Sequence, residues 1–372
     1  MEMNYKFVHL IILWLNILGI VLLVGSVVFR WLVLGRALHS VAPSLQEREL
    51  IEAESQLSLR RLMGVCLILL GVVTCIDLIL RTEMMSRKPL SQIIPILPMV
   101  LFKTHIGKVL WFKISVIAFS SLTWFFVSQK PRLTVQIFLL LASAGLCLSS
   151  SLSGHAADKG IISVWLLADW LHFLAVSSWL GGLFSLIFLF PKISNRIDNQ
   201  KRLKFESALF SRFSTLAVFS VVTLVLSGLF GAWLRLQTFS NLFSTAYGVT
   251  LLFKITFFLP LLALGAINRY YVRPSLKKLA GELVSESWIQ QMMTHLISRF
   301  GATTGSPDNR RVQSRFGSEQ LAMIHLRLFV SVQCLIALLV LGLGTTLTQT
   351  SPPNLKPMNV PDNSSSMQHM GM

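Results

Sequence analysis

Long apolar stretches alternate with short polar ones along the whole of this 372-residue chain. Eight of the stretches, at about 7–33, 61–81, 106–127, 132–152, 163–190, 212–236, 247–270 and 325–347, are long enough to cross a bilayer. A hydrocarbon core of roughly 30 Å takes about 20 residues of helix, and 18 or more apolar residues in a row mark such a span. The pattern therefore predicts an all-α fold, a polytopic membrane helix bundle with about eight transmembrane helices. The first stretch has no A-x-A-like cleavage site and exceeds a signal-peptide core, so it is read as a helix that stays. Only a few residues around Lys130 and Pro131 separate the third and fourth stretches, which predicts an antiparallel hairpin. Residues 1–350 form the expected transmembrane domain, and 351–372 a flexible tail rich in Met and His.

Within the domain a cytoplasmic insertion is expected at about 271–323. There Leu276, Leu279, Leu283, Met292, Met293, Leu296 and Phe300 keep a helical apolar face, broken near Ser285–Ser287. Such a face predicts an interfacial amphipathic helix. The polar run GATTGSPDNRRVQSRFGS beyond it reads as a linker.

The sequence also repeats. THIGKVLWFKI at 104–114 returns without a gap as TAYGVTLLFKI at 245–255, sharing T-x-x-G-x-x-L-x-F-K-I. His9 and His172 each precede a glycine by ten residues, Gly19 and Gly182. The expectation is two four-helix halves related by an axis along the membrane normal, since four spans per half is an even number. Lys113 and Lys254 fall at the same offset inside their spans. A bare lysine in lipid costs roughly 2.5–3.5 kcal/mol, so each must snorkel, pair with an acid such as Asp77 or Asp169, or line a cavity.

Composition supports a membrane setting: 53% of residues are hydrophobic and 13% charged. The net charge of +17 would suit nucleic acid, but its distribution does not. Of 33 lysines and arginines, 22 lie in or beside the connections after the first, third, fifth and seventh spans, and nine at the other ends. That is the positive-inside pattern, and it places both termini outward. The partner implied is a lipid bilayer, with no nucleic acid. Cys66, Cys75, Cys147 and Cys334 all fall in spans without a C-x-x-C pair, so they read as small apolar packing residues.

Two places carry chemistry. In SLSGHAADKGIISVWLLADWLHFLAVSSWLGGL, Ser151–Leu183, His155 lies at the outer mouth between the fourth and fifth spans. Asp169 and His172 are three apart and share a helix face, with Trp165, Val176 and Trp179 along the same stripe. Such residues suit metal coordination; haem or proton chemistry, and simple helix bridging, remain alternatives. His9 is a further candidate ligand if the repeat brings it to His172. The tail MNVPDNSSSMQHMGM offers Met367, His369, Met370 and Met372 in an otherwise polar segment. Thioethers suit Cu(I), while imidazole and carboxylate suit Cu(II). The alternative is a tail whose methionines have no role.

The motifs G-H-A-A, A-D-W-L-H-F and W-L-G-G-L resemble the CopD family of bacterial inner-membrane copper-resistance and copper-uptake proteins. So do R-F-S-T-L-A and S-G in the sixth span, Y-G-V-T-L-L-F-K in the seventh, and the closing L-T-Q-T-S-P-P. The resemblance covers roughly Leu133–Pro353 well and the first spans loosely. It implies an eight-helix protein of the cytoplasmic (inner) membrane that handles periplasmic copper and admits it to the cytoplasm. Its candidate ligands are His155 and His172, with a copper ion as substrate. Gln333 stands where the family often has an acidic residue. No copper-binding β-domain is fused here, so a separate periplasmic copper carrier or the Met/His tail would deliver the metal. The chain is expected to be a transporter and not an enzyme, and it has no G-x-x-x-x-G-K-[ST] phosphate loop. Two other readings remain open: a b-type haem protein carrying electrons across the membrane, and a copper-delivery scaffold for a respiratory oxidase.

Overall fold

The computed structural model describes residues 2–41, 45–88, 90–126, 133–154, 160, 162–193, 199–281, 292 and 313–350. Among these there is no strand, and eight helices are long and apolar enough to cross a membrane. They are α1 (Phe7–Leu38), α2 (Ile51–Ser86), α3 (His105–Phe125) and α4 (Leu133–Leu152), then α5 (Val164–Leu189), α6 (Arg202–Leu236), α7 (Ala246–Lys278) and α8 (Leu326–Gln349). The fold is thus an all-α polytopic bundle.

Three helices begin well before their apolar stretches. The helix containing α2 begins at Leu45, that of α6 at Asn199 and that of α8 at Gln313. These extensions carry no proline, and Glu, Gln, Leu, Lys and Arg keep a helix going where apolar character has stopped. The expected insertion near 271 is also displaced. α7 continues through Arg273–Leu279, and Leu276 is fully buried in the bundle instead of lying at an interface. Leu279 closes that helix, and of the pattern beyond it only Met292, exposed, is described.

α1 stands at the centre. Ile20, Leu23, Val24 and Val27 pack with Met63, Leu67, Leu70, Ile117, Leu139 and Leu146 from α2, α3 and α4. Val21, Phe29, Val33 and Leu34 join a second apolar core built from α5, α6, α7 and α8. α1 crosses α5 at very short range. A Cβ on Gly25 would sit 2.2 Å from the Gly181 backbone, and one on Gly181 would sit 1.9 Å from the Val21 carbonyl oxygen. Beside this crossing the Ser26 and Ser185 hydroxyls hydrogen-bond at 3.1 Å. α5 is not a uniform α-helix, because Ser177–Gly181 adopts one π-helical turn. Similar turns occur at Phe29–Leu34 in α1 and Asn268–Val272 in α7.

The repeat has a clear structural basis. α2 and α6 each end at a residue with positive φ, Arg87 at 54° and Gln237 at 59°. Short helices, Leu97–Lys103 and Asn241–Ser244, then lead into α3 and α7. At each joint the motif threonine caps the following helix. Thr104 Oγ1 accepts from the Gly107 amide at 2.9 Å, and Thr245 Oγ1 from the Gly248 amide at 3.0 Å. The motif glycines are required for space: a Cβ would lie 2.0 Å from the Val100 carbonyl oxygen at position 107 and 2.2 Å from that of Asn241 at 248.

Helix packing follows the same plan in both halves. α1 packs on α2 as α5 packs on α6, and α3 on α4 as α7 on α8. One pairing breaks it. α2 packs along α3, whereas α6 and α7 form no comparable seam and meet mainly at their far ends. There Arg269 donates to the Ser214 hydroxyl at 3.0 Å, and Arg273 to the Ser211 hydroxyl at 3.0 Å.

Candidate functional site

Two clusters of polar side chains, one per half, lie within the bundle at the end where α1, α3, α5 and α7 begin. In the first half the His9 imidazole faces Asp77, with Nε2 3.5 Å from Oδ1. Arg81, one turn along α2, donates to the same oxygen at 2.9 Å. The Lys113 ammonium donates to the Asn16 side-chain carbonyl, and the Asn16 amide reaches Thr74 Oγ1 at 3.5 Å. This cluster is shut. The Asp77 side chain is 4% exposed and Arg81 16%. Lys113 has the paired role expected of an intramembrane lysine, with Asn16 as its direct partner and the Asp77 charge beside it.

The second cluster hangs on α5. Ser163, in extended conformation, opens the helix by accepting the Leu166 amide at 3.2 Å. His172 lies two turns into the helix, roughly 12 Å from its start. Asp169, three residues before it, accepts from Arg235 Nη2 of α6 at 3.0 Å. His172 Nδ1 lies 3.1 Å from the Ser227 hydroxyl of α6. Two glycines of α6 leave room for these partners. A Cβ on Gly228 would stand 3.2 Å from His172 Cε1, and one on Gly231 would stand 2.9 Å from Arg235 Nη1. Lys254 of α7 completes the group. Its charge acts on Asp169, Arg235 and His172, and its Nζ would lie 3.8 Å from a Cβ on Gly344 of α8. This cluster is open: the Asp169 side chain is 33% exposed and Arg235 22%. It also sits beside the stretch where α6 and α7 lack a seam.

The structure therefore brings Asp169 and His172 together and gives them partners on α6. It puts His9 with Asp77 and Arg81, in the other cluster. No group of three His, Cys, Asp or Glu side chains able to hold a metal occurs among the described residues, so His9, Asp169 and His172 do not gather into one set. His155 and the tail residues Met367, His369, Met370 and Met372 lie outside the described residues. Trp179, expected on the same stripe, is buried and meets Phe258 of α7 edge-on at 6.1 Å. All four cysteines are free thiols, three of them buried. Gln333 is also buried; it accepts from Asn268 at 2.9 Å and donates to the Leu261 carbonyl at 3.2 Å. It ties α7 to α8 as a neutral residue.

Reading the sequence alone missed Arg81, Arg235, Asn16 and Ser227. The arginines lie near helix ends, where an ordinary interfacial role accounts for them. The S-G pair at 227–228 was visible as a motif, and a small residue beside a hydroxyl was the available signal.

Comparison with known proteins finds matches in both halves of the chain. Residues 207–347 match the profile of copper resistance protein D, and residues 5–164 match that of the copper resistance protein D-like N-terminal domain. The chain is 33% identical over 144 residues to copper transport protein CutJ of Bacillus subtilis (strain 168), covering 39% of this chain and 26% of CutJ. It is 23% identical over 214 residues to copper resistance protein D of Pseudomonas syringae pv. tomato, covering 57% of this chain and 67% of that protein. The stretch shared with CutJ thus spans about a quarter of CutJ's length. No solved structure matches the chain. With the two profiles together running from residue 5 to residue 347 over eight spanning helices, the chain belongs to the copper resistance protein D (CopD) family.

Proposed function

We propose that this protein carries copper ions across the bacterial inner membrane, taking them from the periplasmic face and releasing them to the cytoplasm. The observation that carries this reading is the placement of His172. Its imidazole is a good copper donor, set inside a span on the side of the bundle where α6 and α7 do not seal. The charge pattern of the connections supports an outward orientation for that end of the bundle. We read His155 and the Met/His tail as capture groups for that side, with a periplasmic carrier as an alternative donor. Asp169 is held by Arg235 until an arriving cation competes for its carboxylate, which its partial exposure permits. An inside-negative potential favours an inbound monovalent ion by about 2.3 kcal/mol per 100 mV, so no further energy source is required. The names of the relatives, a copper transport protein and a copper resistance protein, support the same cargo.

The test is copper uptake into liposomes containing only this protein. His172→Ala should abolish uptake while insertion and yield stay near the parent's, because removing a polar group from a span does not hinder insertion. Uptake by the variant at the parent rate would make His172 a helix-bridging residue and end this reading.

A further inference from the structure

The Ser227 hydroxyl has one proton and three oxygen or nitrogen neighbours competing for it. Its Oγ lies 2.6 Å from the Thr223 carbonyl oxygen, 3.3 Å from that of Leu224 and 3.1 Å from His172 Nδ1. The Thr223 carbonyl, at 2.6 Å against 3.1 and 3.3 Å, is the nearest acceptor, and the proton goes to it. The hydroxyl therefore meets the imidazole with a lone pair. A hydrogen bond at that contact requires Nδ1 to be the donor, and a neutral imidazole protonated at Nδ1 carries its free lone pair on Nε2.

Gly228 supports the same arrangement from the next residue. A Cβ there would stand 3.2 Å from Cε1 and 3.4 Å from Nδ1 of His172, so a side chain at this position would push the ring a few tenths of an ångström from the hydroxyl. The first half has no such device. Counting back equally from the positive-φ residues that close α2 and α6, Arg87 and Gln237, sets Asp77 and Leu78 against Ser227 and Gly228. There His9 turns Nε2 toward the Asp77 carboxylate. The two imidazoles are held by opposite nitrogens.

We propose that the Ser227–Gly228 step of α6 is a positioning element that locks His172 as the Nδ1–H tautomer and so presents Nε2 as the copper donor; this rests on the reading of His172 as that donor. Ser227 does not touch the ion. It acts through the imidazole, as partners of metal-bound histidines do when they fix the ring's tautomer and orientation.

The tautomer can be read directly by solid-state NMR of the full chain in lipid, with isotope-labelled histidine and the His172 signals identified by their loss in His172→Ala. Copper salts in each oxidation state are titrated in parallel against a competing chelator. The parent should show Nδ1–H, S227T should keep it, and S227A should lose the single tautomer. Copper affinity should fall about 10–100-fold in S227A and be retained in S227T. Should S227A fail to insert, G228A gives the same comparison with the hydroxyl intact, and it too should weaken copper. A parent spectrum showing Nε2–H overturns the proposal. So does a parent-like tautomer and affinity in S227A, provided His172→Ala has lost copper. Full copper affinity in His172→Ala overturns instead the reading of His172 as donor.

Discussion

Asp77 and Asp169 sit at the same end of the bundle, each bound by an arginine at about 3 Å, yet their surroundings give them different work. Asp77 is sealed among His9, Arg81 and Lys113. Breaking a buried pair by removing one partner costs about 3–5 kcal/mol, because the charge left behind has no compensation. Asp77→Asn should therefore lower the thermal midpoint of the detergent-solubilised protein markedly, as read by intrinsic fluorescence. Asp169 is one-third exposed, and exposed pairs contribute at most about 1 kcal/mol. Asp169→Asn should leave the midpoint close to the parent's while slowing copper uptake. Equal loss of stability in both variants would remove the distinction between a sealed and an open cluster. At this scale the sequence was informative where a polar residue interrupts an apolar run, as His172 and Asp169 do. It was silent on their partners. Which helix lies beside α5 is set by packing across the bundle, and no local spacing encodes it.

Among helices, α1 and α5 cross at very short range. Gly25 and Gly181 meet with no room for a methyl group on either. In a bilayer, helix association rests on such close packing, since lipid offers no hydrophobic drive between apolar helices. Gly25→Ala or Gly181→Ala should part α1 from α5 and sharply reduce the yield of folded protein on size-exclusion chromatography. Gly71→Ala is the control: a Cβ there meets nothing within 4 Å, so the variant should behave as the parent. Folded yields that match across the three variants would show that the crossing is not a critical contact. The eight helices were legible because bilayer thickness fixes their length and apolar character together. Their ends were not. Glu, Gln and Arg beyond 61–81 and 212–236 are polar without breaking a helix, so hydropathy stops where the backbone does not. The T-x-x-G repeat was legible as a pattern, and its cause, a threonine cap beside a glycine with a carbonyl against it, required the coordinates.

For the whole molecule, duplication accounts for the helix order and departure from it for the site. Both halves share the turn after their second helix, the short helix and the capped third helix, and one half has an open seam where the other is closed. Both polar clusters lie at one end, so the orientation in the bilayer decides which side they serve. Reporter fusions after Pro352 and near Ser306 should give opposite readouts, with the first periplasmic. A shared readout would refute the eight-span topology, and an inverted pair would place the clusters on the cytoplasmic side.

The π-helical turn at Ser177–Gly181 bears on how this protein tolerates change. It lies between His172, which faces α6, and Ser185, which faces α1. Such a turn holds one residue more than the α-helix it interrupts. Deleting a single residue from it would let α5 run as a regular helix that still spans the membrane. The halves on either side would keep nearly their present faces, because the wide turn already absorbs the extra residue. The same deletion from a regular turn of α5 between His172 and Ser185 would swing one half against the other by about 100°, the rotation of one α-helical residue. In that case the imidazole would leave its socket on α6 with every group of the site still present in the chain. In this helix, chain length is as much a part of the site as any side chain.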